Sequence, residues 1–195
     1  MKKKTKLNLS FYPLTVDRWK DFEKLFGANG ACAGCWCMYW FMKKQEYDEK
    51  RKDGRTKKEM KRMVKENIEP GIVAYNNDIP VGWIAVQPRE KYTRLANSKI
   101  PQPVDDRPVW SIVCLFIHKN YRKKGILVEL IKNACRFAAV KGGTIVEAYP
   151  TETKNKTAAP VFIYTGTASA FKKAGVKEVA RRSEIRPVMR KDMTN

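Results

Sequence analysis

The sequence predicts a single α/β domain: a mixed antiparallel and parallel sheet of about six to seven strands, flanked by helices, around a central βαβ unit. Three observations carry that expectation. The stretch "VWSIVCLFIHKNYRKKGILVELIKNACRFAAVKGGTIVEAYP", residues 109–150, joins an almost unbroken apolar strand to a helix with one apolar face and then to a second strand. Strand and helix at this spacing form a right-handed crossover between parallel strands. Shorter runs with strand patterning lie on both sides of it. The chain has 195 residues, no internal repeat and no second zone of composition, which fits one domain with a core spanning about residues 7–191.

Taken in order, residues 7–14 alternate enough for a first strand. Thr15 can cap a helix whose apolar face carries Val16, Trp19, Phe22, Leu25 and Phe26, with Gly27 at its end. A loop and an aromatic run, "GANGACAGCWCMYWFM", come next. Residues 43–69 are strongly charged and place Met60, Met63, Val64 and Ile68 at helical spacing, so they read as one helix stopped by Pro70-Gly71. Residues 71–75 and 81–86 flank the turn sequence "NNDIP" and form a hairpin. Residues 88–108 contain four prolines and no period, which predicts a long ordered loop. Residues 109–118 are apolar enough for a strand buried on both faces. The helix after Gly125 aligns Leu127, Leu130, Ile131, Ala134 and Ala138 on one face, and Gly142-Gly143 ends it before a strand at 144–149. A short helix at 167–174 and two strands, 176–182 and 185–190, complete the chain.

Composition narrows the function. A hydrophobic content of 43% with five tryptophans belongs to a packed globular protein. No run approaches the ~20 apolar residues of a membrane helix. The basic N-terminus has no apolar segment of the export type, so a cytoplasmic location with reduced thiols is expected. The formal net charge of +20 favours anionic partners, whether nucleic acid, a phosphate-bearing cofactor or an acidic surface. The tryptophans sit in apolar contexts and no nucleic-acid signature occurs, which argues against that partner. Cys32, Cys35 and Cys37 show the C-x-x-C spacing of zinc or redox sites. There is no second such pair, so no metal is expected.

The most informative stretch is "HKNYRKKGILVELIKNACRFAAVKGG". A helix N-terminus leaves about four backbone N–H groups without partners and carries roughly half a positive charge. Following a strand, it makes an anion site. Gly125 allows close approach, and Arg122, Lys123 and Lys124 add charge. Neither G-x-x-x-x-G-K-[ST] nor G-x-G-x-x-G is present.

Residues 109–150 resemble the central motif of the GNAT superfamily of acyl-CoA-dependent N-acyltransferases: an apolar strand, R/Q-x-x-G-x-G/A, an amphipathic helix and a strand. The motif falls on Arg122, Lys123, Lys124, Gly125, Ile126 and Leu127, and the order of elements matches along nearly the whole chain. With "CAGCWCMYW", "VGWIAVQPREKYTRL" and "PVDDRPVWS", it is similar to a subgroup with a Cys/Trp-rich N-terminal segment. The resemblance implies acetyl-CoA as cofactor and an amine as acceptor, in a monomer or homodimer. The cofactor's pyrophosphate would lie on Arg122–Leu127 and its pantetheine arm along the strand bearing Leu115, Phe116 and Ile117. A backbone N–H near Leu115 or Phe116 would hold the developing oxyanion.

Direct attack needs a neutral amine, and the resemblance makes Glu147 the base, with Ser111 orienting a water. The family's usual acid, a tyrosine, is replaced by Phe171, and the nearest tyrosines in sequence are Tyr149 and Tyr164. The final Gly/Ala of the motif is replaced by Leu127. Cys35, Trp36, Tyr39, Trp40, Trp83 and Arg89 would border the acceptor, with Arg94 and Asp105 beside them. The competing readings are a nucleic-acid-binding basic protein and a non-catalytic acyl-CoA sensor.

Overall fold

The computed structural model describes residues 7–153 and 163–194. Strands β1 (Leu9–Pro13), β2 (Gly71–Asn76), β3 (Ile79–Pro88), β4 (Trp110–Ile117), β5 (Ile145–Ala148), β6 (Lys177–Arg181) and β7 (Pro187–Asp192) form one sheet in the order β1-β2-β3-β4-β5-β7-β6. All neighbours are antiparallel except β4 and β5, which run parallel. The helices are α1 (Trp19–Phe26), α2 (Lys44–Lys52), α3 (Arg55–Lys65), α4 (Thr93–Ala96), α5 (Ile126–Val140) and α6 (Ala168–Lys173).

Each face of the sheet buries its own apolar cluster. On one face α1 presents Trp19, Phe22, Leu25 and Phe26 to Val73, Trp83 and Val113. On the other, α5 buries Ile126, Leu130, Ile131, Ala134, Cys135 and Ala138 against Ile84, Ile112, Val146 and Met189. Burying one such large side chain stabilises by about 1.5–3 kcal/mol. With both faces covered, β3 is buried along most of its length.

Two expectations are corrected. Residues 43–69 form two helices, because the chain turns at Asp53-Gly54. Gly54 takes φ +74, a left-handed conformation that costs glycine nothing, and Asp53 accepts the Arg55 N–H at 3.1 Å. The helices are tied by Lys50, which bridges Glu46 at 2.9 Å and Glu59 at 2.7 Å. The long loop at 88–108 contains a 3-10 turn (Arg89–Lys91) and α4.

The β4–β5 pairing prepares the site. Only Trp110↔Val146, Ser111↔Glu147 and Ile112↔Ala148 are in register, and beyond them the strands part. At the same level β3 pairs Val86 with Ile112 but Ala85 with Cys114, so Val113 is a bulge residue. The bulge re-aims the side chains that follow it. Cys114 and Phe116 pack toward the α1 side and Leu115 toward α5.

Candidate active site

Four segments converge where β4 and β5 separate: the end of β4, the turn into α5, the loop between α1 and α2, and residues 163–166. They enclose a cleft of about 560 Å3. Lys123 (φ +61) and Gly125 (φ +85) bend the chain so that α5 starts at Ile126. A Cβ on Gly125 would meet nothing within 4 Å, so the space in front of the turn is open. The N–H groups of Lys124, Gly125, Ile126 and Leu127 have no acceptor among the described residues. Arg122, Lys123 and Lys124 are exposed around them. Unpaired amides, a helix N-terminus and three cations suit a phosphate group. Leu127 packs against the apolar cluster beneath α5 and leaves the turn clear.

Along β4, Leu115, Phe116 and Ile117 line the cleft, as does Arg122. The open edge already has partners, however. The Leu115 N–H donates to the Tyr164 carbonyl at 2.6 Å, and the Ile117 carbonyl accepts from Arg122 Nε at 3.1 Å. Leu115 is therefore not a free donor, contrary to the sequence reading. Phe116 faces β3, with Trp83 as its register partner, and offers no replacement.

The opposite wall is the loop after α1, whose backbone is unusual. Ala31, Ala33, Trp36 and Cys37 all have positive φ, a conformation that non-glycine residues rarely adopt and that costs of order 1 kcal/mol each. Helices α2 and α3 hold it in place: Thr56 Oγ1 donates to the Gly34 carbonyl at 2.7 Å and Arg51 Nη1 to the Ala33 carbonyl at 3.3 Å. Cys32, Cys35, Cys37, Tyr39 and Trp40 thereby reach the cleft. Trp36 does not, because it stacks on Trp19 and Phe26 inside the core. Trp83 is likewise fully buried and donates from Nε1 to Cys37 Sγ at 3.1 Å. Aromatic residues that recur near a loop in sequence can serve packing as well as binding, and these two pack.

Cys114 joins the other three cysteines at the cleft. Its thiol is held well above the usual range by hydrogen bonding to the Cys37 side chain and by burial, and burial pushes the Cys35 thiol up to about 11. Both are protonated at neutral pH and are poor nucleophiles. Among the described residues, no group of three or more possible ligands is arranged to hold a metal ion.

Tyr164, noted in the sequence only for its position, lies in the cleft beside Cys114 and Tyr39. Burial raises its phenol well above the ordinary tyrosine value. Phe171, which holds the usual tyrosine place, is fully buried in the core. Tyr47, Phe26 and Asp48 also border the cleft and carried no signal in the sequence, since each lies on a helix with an ordinary pattern.

Glu147, Tyr149, Ser111 and Arg89 occur together, but in a different place. Glu147 is fully buried; Arg89 Nη1 donates to its Oε1 at 3.1 Å and Arg190 Nε to its Oε2 at 2.7 Å. The Tyr149 hydroxyl donates to Glu147 and receives from Arg89, and it lies 3.1 Å from Ser111 Oγ. Arg190 continues to Asp105 at 2.8 Å, and bonds from Arg107 and Arg190 hold Asp105 well below the usual carboxylate range. Burial first, and then Glu147, push the Tyr149 phenol well upward. Glu147, Arg89, Asp105 and Arg190 line a separate cavity of about 490 Å3 under the 88–109 loop, not the cleft. Arg94 stacks on Tyr39 at 3.9 Å from behind the cleft wall.

A bulged strand parting from its parallel neighbour, beside an open glycine turn at the head of a long helix, defines an acyltransferase-type α/β fold. Residues 29–163 match the model of the acetyltransferase (GNAT) family, and the chain belongs to that family. No curated protein sequence matches it. Solved structures share the fold at low identity. They include the PaiA N-acetyltransferase of Thermoplasma acidophilum in complex with coenzyme A (12% identity, TM-score 0.53, 95% of this chain and 99% of that one). A GNAT-family acetyltransferase of Listeria monocytogenes matches with 6% identity and TM-score 0.57 over 96% and 98%. An uncharacterised protein of Bacillus halodurans matches with 18% identity and TM-score 0.53 over 97% and 86%. No described helix is long and apolar enough to cross a membrane.

Proposed function

We propose that this protein is a cytoplasmic N-acetyltransferase that moves an acetyl group from acetyl-CoA to an amine by direct attack on the thioester. The observation that carries the proposal is the open amide turn at Gly125, which lies next to a cleft large enough for the reacting groups. Arg122, Lys123, Lys124 and the N–H groups of Gly125, Ile126 and Leu127 would hold the diphosphate; each charge-assisted bond is worth about 1.5–3 kcal/mol. When bound, acetyl-CoA supplies an activated acyl group and a thiolate leaving group. The PaiA structure with coenzyme A, similar in fold, supports a ligand of that kind here.

Within the chain, Tyr164 is the residue suited to return a proton to the departing thiolate: it lies in the cleft and its phenol is protonated at neutral pH. Glu147, held by two arginines in a separate cavity, serves to order β5 rather than to take a proton from the acceptor.

The Leu115–Tyr164 hydrogen bond favours a second reading, an acyl-CoA sensor, because it occupies the amide that transfer would use. A thermal-shift series with coenzyme A, acetyl-CoA and longer acyl-CoAs tests ligand binding; one hundred times the dissociation constant stabilises by about 2.7 kcal/mol. Release of thiol from acetyl-CoA on a panel of amines then separates enzyme from sensor. An unchanged melting temperature with every acyl-CoA would remove both readings.

A further inference from the structure

The cleft also bears on which amines it accepts, an inference that rests on the acyl-transfer reading above. Its wall is apolar. Phe26, Trp40, Tyr47, Phe116 and Tyr164 supply rings, and the Cys35 and Cys114 thiols beside them are neutral at physiological pH. Its charges are one-sided. Arg51 lies on the lining with no carboxylate bonded to it among the described residues, whereas Arg122 is the residue expected to meet the diphosphate. Behind the wall, the Arg94 guanidinium stacks on Tyr39 and on Tyr47, and one of its nitrogens is buried with no hydrogen-bond partner. Among the described residues lining the cleft, Asp48 is the only carboxylate, and Lys44 neutralises it at 2.7 Å. The whole chain adds a field of +20.

We infer that the acceptor is a primary amine with an apolar, aromatic body and no second positive charge, and that entry into this cleft itself drives off the ammonium proton. Two physical effects act in the same direction. Desolvation disfavours a charged amine, and unpaired neighbouring cations disfavour it again. The neutral amine is the nucleophile, so the site prepares its substrate without a dedicated carboxylate. A polyamine or a polycationic sugar would have to bring a further ammonium group into the same surroundings with no carboxylate free to meet it, and an uncompensated buried charge is strongly unfavourable. In the step itself, the acceptor nitrogen forms a bond to the acyl carbon and the carbon–sulfur bond breaks. The proton that leaves the ammonium passes to water. The second nitrogen proton passes to water as the amide forms; the thiolate takes a proton from Tyr164 or from water, and where Tyr164 gives it, water returns one to the phenolate.

The experiment compares 2-phenylethylamine with 1,4-diaminobutane and spermidine as acceptors at saturating acetyl-CoA. In parallel, calorimetry of 2-phenylethylamine binding to the coenzyme A complex is run in buffers of different ionisation enthalpy. The expected results are a kcat/KM at least on the order of 100-fold higher for the aromatic monoamine and release of close to one proton on binding. Arg51→Glu, which reverses one charge of the lining, should narrow the preference by about tenfold, the effect of ~1.4 kcal/mol. A wild-type preference for the diamine or spermidine overturns the inference, as does monoamine binding without proton release or no monoamine binding at all. Because coenzyme A binding is recorded separately, its presence in those cases leaves the acyltransferase reading standing, whereas its absence removes that reading as well.

Discussion

Two polar regions lie on the same side of the sheet, on either side of the point where β4 and β5 part, and they are built on opposite terms. Around Glu147 every charge is answered: two arginines hold the carboxylate, Asp105 holds one of those arginines, and Tyr149 and Ser111 close the set. In and beside the cleft, the amides of the Gly125 turn and the guanidiniums of Arg51 and Arg122 have no anionic partner among the described residues, and the Cys35 and Cys114 thiols and the Tyr164 phenol remain neutral. A network with all its partners present fixes a structure, while a surface with missing partners is equipped to bind. Residue type alone would have assigned catalysis to the first region.

The largest effect is expected from breaking the satisfied region. Glu147→Gln leaves two arginines facing a neutral amide and should destabilise by about 3 kcal/mol, seen as a lower denaturation midpoint, with turnover of the folded fraction little changed. A variant of wild-type stability that has lost turnover would instead restore Glu147 as the base.

Gly125→Glu attacks the unsatisfied region. It places a negative charge and a side chain at φ +85 and should abolish the ~2.7 kcal/mol stabilisation given by excess coenzyme A. A shift that persists unchanged puts the ligand elsewhere.

The tyrosines sharpen the contrast through pH. Burial raises the phenols of Tyr47, Tyr75, Tyr92, Tyr149 and Tyr164. Their contribution is complete below the unfolded value of about 10 and is lost as the pH rises beyond it, because the unfolded chain then releases protons that the folded one keeps. Stability should fall by up to about 1.4 kcal/mol per pH unit for each such tyrosine. Tyrosinate absorbance should appear together with unfolding, and reversible titration of all eight tyrosines near pH 10 in the folded protein would contradict this burial.

The smallest effect is that of Tyr164→Phe. Because a thiol with a pKa near 8.5 is a fair leaving group, kcat should fall only about tenfold, and most where solvent is least able to donate a proton, at high pH. An unaltered pH–rate profile would assign that proton to water.

Most of the fold was legible because its signals are local. The strand and helix of residues 110–140, the hairpin turn and the Gly125 turn all follow from period and punctuation. The break at Asp53-Gly54 was not seen, since residues 44–52 bury only Tyr47 and so carry no stripe to show where one helix ends. Of the candidate site, the open turn at Gly125 and the strand that lines the cleft could be located from the motif. Trp36 and Trp83 were placed at the acceptor because aromatic content does not distinguish a wall from a core. The pairing of Glu147 with Arg190 by strand register, and of Leu115 with Tyr164 by a loop that lies on β4, joins residues more than forty positions apart, which one sequence does not display.

The parting of β4 from β5 has a mechanical consequence. Three register pairs join them, against seven between β3 and β4, so the sheet resembles a book with two boards, β1–β4 and β5–β7–β6. The Arg89–Glu147–Arg190 contacts act as a rivet through its spine, with Arg89 following the first board and Arg190 rising from the second. Amide hydrogen exchange along residues 145–148 would record how far that spine gives.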